Sequence, residues 1–290
     1  MSKYVPDISS HRWVIVSPQR VIRPKDGKKK KSKQRCPFCP GNENLTPPEV
    51  FRYGSGEKDE KGWKVRVIPN KFKITDLHEV IIHSASHEKD IEDFSYEQIS
   101  LIFKAYRERY NFYKDKGQVL IFCNHGKHAG ASLKHPHSQL VVIPRQINLD
   151  ALSREPLNNI VDKNKFFNVY CPEFSQWPYE VWFAPKEEGK VFGEISNEQI
   201  SDLSIILKNT LKQIEKVYKR DFSKETFDYN YYIYPKENWY LRVIPRFIDR
   251  AGFELGTGLS VNIIDPYNAS LELKGSDKAT DNVLRKLKKY

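Results

Sequence analysis

Laid against itself, the chain matches at a single displacement. Ser95-Tyr-Glu-Gln-Ile-Ser100 aligns with Ser196-Asn-Glu-Gln-Ile-Ser201, Glu79-Val80 with Glu180-Val181, and Val142-Ile-Pro-Arg145 with Val243-Ile-Pro-Arg246, each pair 101 residues apart. Three segments sharing one offset restrict the chain to two copies of one supersecondary unit, and a period this long excludes a solenoid. Each copy reads β-β-α-β-β. Trp63 to Pro69 and Phe166 to Val169 open as strands, and Glu79 to His83 and Glu180 to Ala184 follow. Then Ile99, Ile102, Phe103 and Tyr106, and in the second copy Ile200, Leu203, Leu207 and Leu211, recur at helical spacing. Ser95 and Ser196 suit the N-caps, with Gln98 and Gln199 three residues on completing capping boxes. Strands at Gln118 to Cys123 and Ser138 to Ile143, and at Tyr229 to Tyr234 and Tyr240 to Ile244, close the units. The expectation is an α+β fold, antiparallel sheet with packed helices, divided into 1–150 and 151–290.

Composition bears on what such a chain can be. Its 290 residues are 39% hydrophobic and 13% aromatic, enough to bury a core and too much for a mostly disordered chain. No stretch approaches the roughly 18 uncharged apolar residues of a membrane span, and the first 16 residues lack the apolar region of a secretory leader. Four cysteines, two of them as Cys36-Pro-Phe-Cys39, read as a metal knuckle with buried thiols and not as a disulfide framework, so a cytoplasmic location is expected. The net charge of +11 gathers partly in Lys28 to Lys33 and in the tail from Arg285 to Tyr290. Such runs are ordinarily solvated loops and tails.

The copies differ where their last two strands are joined. The first has a long connection, Asn124-His-Gly-Lys-His-Ala-Gly-Ala-Ser-Leu-Lys-His-Pro-His137, which shrinks in the second to roughly Pro235-Lys-Glu-Asn-Trp239. Carried across by the offset, His135, His137 and Gln139 fall on Lys236, Asn238 and Tyr240. The second copy therefore keeps the scaffold without the polar constellation, which places any chemistry in the first. Backbone amides of a Gly- and Ser-containing loop can cradle an anion, and strand alternation puts His135, His137 and Gln139 on one face. A neutral imidazole beside such a loop is what covalent nucleotidyl transfer needs: it attacks phosphorus, forms a phosphoramidate and is displaced by another phosphate. An isolated His-x-His is more often a pair of packed or surface histidines. Its neighbouring loop, and the loss of both from the second copy, favour chemistry. Cys36-x-x-Cys39, set among Pro37, Pro40 and Gly41, presents two thiolates to one ion and leaves two ligands to be found; redox pairs share the spacing.

These residues resemble the galactose-1-phosphate uridylyltransferase branch of the histidine-triad superfamily. The resemblance rests on His135-Pro-His-Ser-Gln139, Trp13-Val-Ile-Val-Ser-Pro-Gln-Arg20 with Arg23-Pro24, Cys36-Pro-Phe-Cys39, Pro69-Asn-Lys-Phe72, and Pro245-Arg246 followed by Ala251-Gly-Phe-Glu-Leu-Gly-Thr-Gly258. It implies two tandem histidine-triad-like modules, the second catalytically degenerate. By the same resemblance His137 is the nucleophile and Gln139 hydrogen-bonds the phosphoryl oxygens. Arg20, Arg23, Asn124 and Ser132 surround the phosphates and nucleotide, Asn70 contacts the nucleoside, and Glu254 contacts a sugar across a homodimer interface. Zinc is the implied cofactor, with His87 and His135 completing the ligand set of Cys36 and Cys39; His83, four residues before His87, is a rival for the third ligand.

The implied reaction is ping-pong transfer of UMP from UDP-glucose through His137 to a hexose 1-phosphate such as galactose 1-phosphate. Nucleotide sugar and sugar 1-phosphate are then the partners. A phosphorylase acting on ADP-glucose or a dinucleoside polyphosphate would use the same covalent step. A zinc-knuckle nucleic-acid-binding protein is the reading outside catalysis. Because the tyrosines in strands read as packing residues, neither nucleic acid nor membrane is expected as a partner.

Overall fold

The computed structural model describes residues 2–7, 12–22, 35–149, 152, 154–221 and 226–275. The basic runs at Lys28 to Lys33 and Arg285 to Tyr290, and Arg23, lie outside the described residues. In chain order the elements are β1 (Lys3–Asp7), β2 (Arg12–Val16), β3 (Phe51–Gly54), β4 (Trp63–Pro69), β5 (His78–Ile82), α1 (Tyr96–Tyr113), β6 (Gln118–His125) and β7 (His137–Ile143). There follow β8 (Ile160–Lys163), β9 (Phe167–Tyr170), β10 (Val181–Pro185), α2 (Asn197–Asp221), β11 (Tyr229–Ile233), β12 (Leu241–Pro245), α3 (Gly252–Thr257) and α4 (Pro266–Leu273). The β-β-α-β-β order recurs as β4-β5-α1-β6-β7 and β9-β10-α2-β11-β12. The fold is α+β, and its strand pairs are antiparallel.

One ten-stranded sheet contains both units, in the order β3-β4-β5-β7-β6-β11-β12-β10-β9-β8. The units meet at β6 and β11, with Asn230 opposite Asn124 and Ile233 opposite Ile121. Alternation along each strand decides what each face carries. Ile81, Val119, Ile121, Leu140, Val142, Val181, Phe183, Tyr231, Leu241 and Val243 point to one face and pack under α1 and α2, in a single large core. On the opposite face, β7 turns out His137, Gln139, Val141 and Ile143.

Both helix starts show how a local signal is redirected by packing. Ser196 and Gln199 form a reciprocal box, Gln199 N–H donating to Ser196 Oγ at 3.1 Å and Ser196 N–H to Gln199 Oε1 at 2.8 Å. At α1 only half of the expected box exists. Gln98 N–H donates to Ser95 Oγ at 3.2 Å, but the Gln98 side chain instead donates to the carbonyls of Lys64 and His83 at 2.9 and 2.6 Å. Those two carbonyls belong to β4 and to the residue just after β5, so the side chain ties the start of the helix to the sheet in place of its second capping bond. No helix among the described residues is long and apolar enough to cross a membrane.

Candidate active site

The knuckle is a turn closed by Cys39 N–H donating to the Cys36 carbonyl at 3.2 Å, followed by Gly41 at φ +89°. Its position on the sheet is fixed by Glu43, whose carboxylate accepts from Gly41 N–H at 2.7 Å and from the Trp63 indole on β4 at 2.9 Å. Cys36, Cys39, His87 and His135 bring their ligand atoms within 4.8 Å of one another. Cys39 Sγ lies 3.3 Å from His87 Nδ1 and 3.6 Å from His135 Nδ1, and Cys36 Sγ lies 3.8 Å from His135 Nδ1. Ligands about 2.0 to 2.3 Å from a central ion at tetrahedral angles stand roughly 3.3 to 3.8 Å apart, so the cluster fits one metal ion.

Electrostatics agree with that use. Burial, and then the Cys39 sulfur, push the Cys36 thiol up to about 11, so that a thiolate at Cys36 requires a cation beside it. Burial lowers His135 to about 4, keeping it neutral. Its Nε2–H donates to the Ser84 carbonyl at 2.8 Å, leaving the lone pair on Nδ1, which faces the sulfurs. His83 does not compete. It is fully buried on the helix side, 3.0 Å from the Tyr106 hydroxyl, and burial pushes it down to about 3.

His137 follows His135 by two residues and opens β7. Its Nδ1–H donates to the His135 carbonyl at 2.7 Å, so the lone pair sits on Nε2. Phe38 of the knuckle packs edge-on to this ring at 5.3 Å between centroids. His137 and Gln139 line a cavity of about 690 Å³, with Asn70, Ser132, Lys71, Lys127 and Lys134 also on its wall. That volume suits a nucleotide-sized ligand, and the lysines suit its phosphates. Gln139 is joined to Asn70 and to the buried His78, whose Nε2 is 3.0 Å from Gln139 Oε1.

The loop after β6 is held from the far half of the chain. Gly126 takes φ +83°, and a side chain there would put its Cβ 1.9 Å from Asp228 Oδ1. The fully buried Asp228 accepts from His128 N–H at 2.7 Å and from the Thr226 hydroxyl at 2.8 Å. Beside it His125 lines the cavity, stacked on Tyr229 and bonded to the buried Asp90 at 2.6 Å. Burial opposes the imidazolium, but Asp90 overcomes it and raises His125 to about 9.

The expected residues do not all converge. Asn124 accepts from the Asn230 amide at 2.9 Å, bridging the two units next to the loop. Arg20 donates to the carbonyl of Phe72, a residue of the cavity wall, at 3.1 Å. Glu254 is not on that wall; its carboxylate accepts from Ala251 N–H at 3.0 Å and caps its own short helix. In the second unit the corresponding face is filled by Trp182 stacked on Tyr240 at 4.1 Å, with Tyr234 parallel to Tyr240, and by a buried Arg242–Glu180 pair at 2.7 Å. Phe38, His78, His125 and Asp228 were not legible as site residues. Gly126 was the one local hint of a close approach, and the group approaching it lies about a hundred residues away.

Comparisons with known proteins agree with this architecture. Residues 19–145 match a family described as the N-terminal domain of a domain of unknown function, DUF4931. An ADP-glucose phosphorylase of Arabidopsis thaliana is 28% identical, the match covering 91% of this chain and 90% of that protein. A galactose-1-phosphate uridylyltransferase of Thermotoga maritima is 24% identical over 91% of this chain and 95% of its own. A crystal structure of an ADP-glucose phosphorylase from Arabidopsis thaliana with bound ADP-glucose superposes with a TM-score of 0.70 at 25% identity, covering 94% of this chain and 99% of that one. The homologues and structural neighbours of this chain are proteins of the galactose-1-phosphate uridylyltransferase family, whose fold has two histidine-triad-like halves, as the resemblance in its sequence implied.

Proposed function

We propose that the protein is a nucleotidyltransferase that passes a nucleoside monophosphate from a nucleotide sugar to a second phosphate through His137. The observation that carries this reading is the fixed tautomer of His137. Its Nδ1–H is committed to the His135 carbonyl, which leaves the Nε2 lone pair as the nucleophile of a buried imidazole on the wall of a lysine-bearing cavity. In the first half-reaction Nε2 attacks the α-phosphorus, an N–P bond forms, and the bond to the bridging oxygen breaks. The sugar 1-phosphate leaves with that electron pair. In the second, a phosphate oxygen of the acceptor attacks the same phosphorus and the N–P bond breaks, returning neutral His137. Gln139, Ser132 and the amides of the loop after β6 hold the phosphoryl oxygens, with Arg20, Arg23 and Asn124 around the phosphates and Asn70 at the nucleoside. Zinc bound by Cys36, Cys39, His87 and His135 would hold rigid the segment that carries His137. The chemistry lies in residues 1–150; residues 151–290 buttress it and, through Glu254, reach a sugar site across a cytoplasmic homodimer.

UDP-glucose as donor and galactose 1-phosphate as acceptor make the leading pair, consistent with relatives named galactose-1-phosphate uridylyltransferase. A phosphorylase that discharges AMP from ADP-glucose onto inorganic phosphate is the second reading, favoured by the 28% identical relative of that name. Intact-protein mass spectrometry after incubation with each donor, without acceptor, separates them. A UMP adduct lost on adding galactose 1-phosphate supports the first, and an AMP adduct discharged by phosphate supports the second. No adduct with either donor, or an adduct retained in His137→Asn, sinks the reading.

A further inference from the structure

Gln139 can serve phosphoryl oxygens only if it presents its NH2 group, because those oxygens solely accept hydrogen bonds and a glutamine carbonyl facing them would repel. A glutamine amide has two nearly isosteric flips, so something must choose between them. We propose that His78 is the positioning residue that makes this choice, an inference that rests on the nucleotidyl-transfer reading above. The choice originates in the backbone. Ile74 N–H donates to His78 Nδ1 at 2.9 Å, which puts the lone pair on Nδ1 and the ring proton on Nε2. Nε2–H therefore donates to Gln139 Oε1, 3.0 Å away. Asn70 is fixed in the same sense: its Oδ1 accepts from Phe72 N–H at 2.7 Å, so the group it turns inward is its NH2, which lies 3.4 Å from Gln139 Oε1 and 3.0 Å from His78 Nε2, the two nitrogens standing side by side as donors to the one oxygen.

Two donors thus converge on one end of the Gln139 side chain, and the flipped amide would set its NH2 against both of them. Burial makes that flip costly, since Gln139 is 4% and His78 is 2% exposed and water cannot substitute for a missing acceptor. The carbonyl is committed to these two donors, which leaves the NH2 as the end that can serve the cavity Gln139 lines. His78 sits on β5 with Val80 opposite Gln139 on β7, so the ring reaches the amide from the neighbouring strand and touches no substrate itself.

The test combines His78→Leu and His78→Gln, each alone and with Gln139→Ala. The readout is the single-turnover rate of adduct formation with whichever of UDP-glucose and ADP-glucose labels the wild type. His78→Leu should slow the adduct by about 10- to 100-fold, the usual scale for residues that orient a reacting group, with little change in the donor concentration for half-saturation. His78→Gln, which restores an N–H donor, should recover most of the rate. In the Gln139→Ala background His78→Leu should change nothing further. An equal loss in both backgrounds, or a folded His78→Gln as slow as His78→Leu, overturns the inference. Nitrogen-15 spectra of the resting protein supply a check that needs no turnover. A protonated Nε2 and bare Nδ1 at His78 are expected, and the reverse tautomer overturns the inference alone. A wild type that neither donor labels overturns the function, and the phosphoryl role of Gln139 with it.

Discussion

Asp228→Ala, studied together with Gly126→Ala, tests how the second half of the chain holds the loop that flanks the cavity. Asp228 accepts two hydrogen bonds, from His128 N–H and the Thr226 hydroxyl, at 2.7 and 2.8 Å. Bonds to a carboxylate contribute about 1.5 to 3 kcal/mol each. Both bonds are only partly buried, so water can reach the donors once the carboxylate is gone; the lower bound applies and Asp228→Ala should cost about 3 kcal/mol. Gly126→Ala should cost more. It pays about 1 to 2 kcal/mol for a left-handed backbone and also displaces the same carboxylate, for a total of about 4 to 5 kcal/mol. The two substitutions remove one arrangement, so their effects cannot add. With Asp228 already truncated, Gly126→Ala should cost only its backbone share, about 1 to 2 kcal/mol, a coupling of about 3 kcal/mol. Urea unfolding of the wild type, both single variants and the double variant measures this directly. Adduct formation should be slowed in all three variants, since the loop amides lose their placement. Additive destabilisation within about 0.5 kcal/mol would refute the reasoning, because sites without shared partners add to that precision.

Two further outcomes follow from the electrostatics. His125 is raised from 6.5 unfolded to about 9 folded, and its pair with Asp90 is less than a third exposed. Its stabilisation is therefore complete below pH 6.5 and is lost as pH rises through about 9; at about 1.36 kcal/mol per unit this amounts to about 3 kcal/mol. The unfolding free energy should fall between those limits, and a His125→Phe variant, which keeps the stack on Tyr229, should flatten the slope; an unchanged slope would remove the pair as its cause. Elemental analysis should find about one zinc per chain, absent from Cys39→Ser, and that variant should lose thermal stability and slow adduct formation together. Wild-type protein lacking stoichiometric zinc would remove the assignment.

Much of the fold was legible because the signals are local. Ser95 and Ser196 cap helices, alternation marks β6, β7, β11 and β12, and the strands lie within a residue or two of where the pattern puts them. Cys36-x-x-Cys39 was equally readable, since a metal site demands particular side chains at short spacing, and the structure brings both cysteines together with His87 and His135. The second copy repeats the scaffold without His135, His137 and Gln139, a difference that is legible by aligning the chain with itself.

What no local pattern carries is the pairing of groups distant in the chain. Gln98 left its box for two sheet carbonyls, and His83, four residues before His87 of the Cys/His cluster, turned under the helices to Tyr106. Asp228 settled against Gly126, and His78 against Gln139, only because β11 pairs with β6 and β5 with β7. Residue types, their alternation between faces and the ends of the helices are legible in the chain because backbone sterics and hydrogen bonding over a few residues set them. Tertiary structure alone decided which buried donors meet which acceptors and which imidazole nitrogen carries a proton, because those depend on strand register and on burial, and a desolvated polar group takes whatever partner the packed sheet supplies.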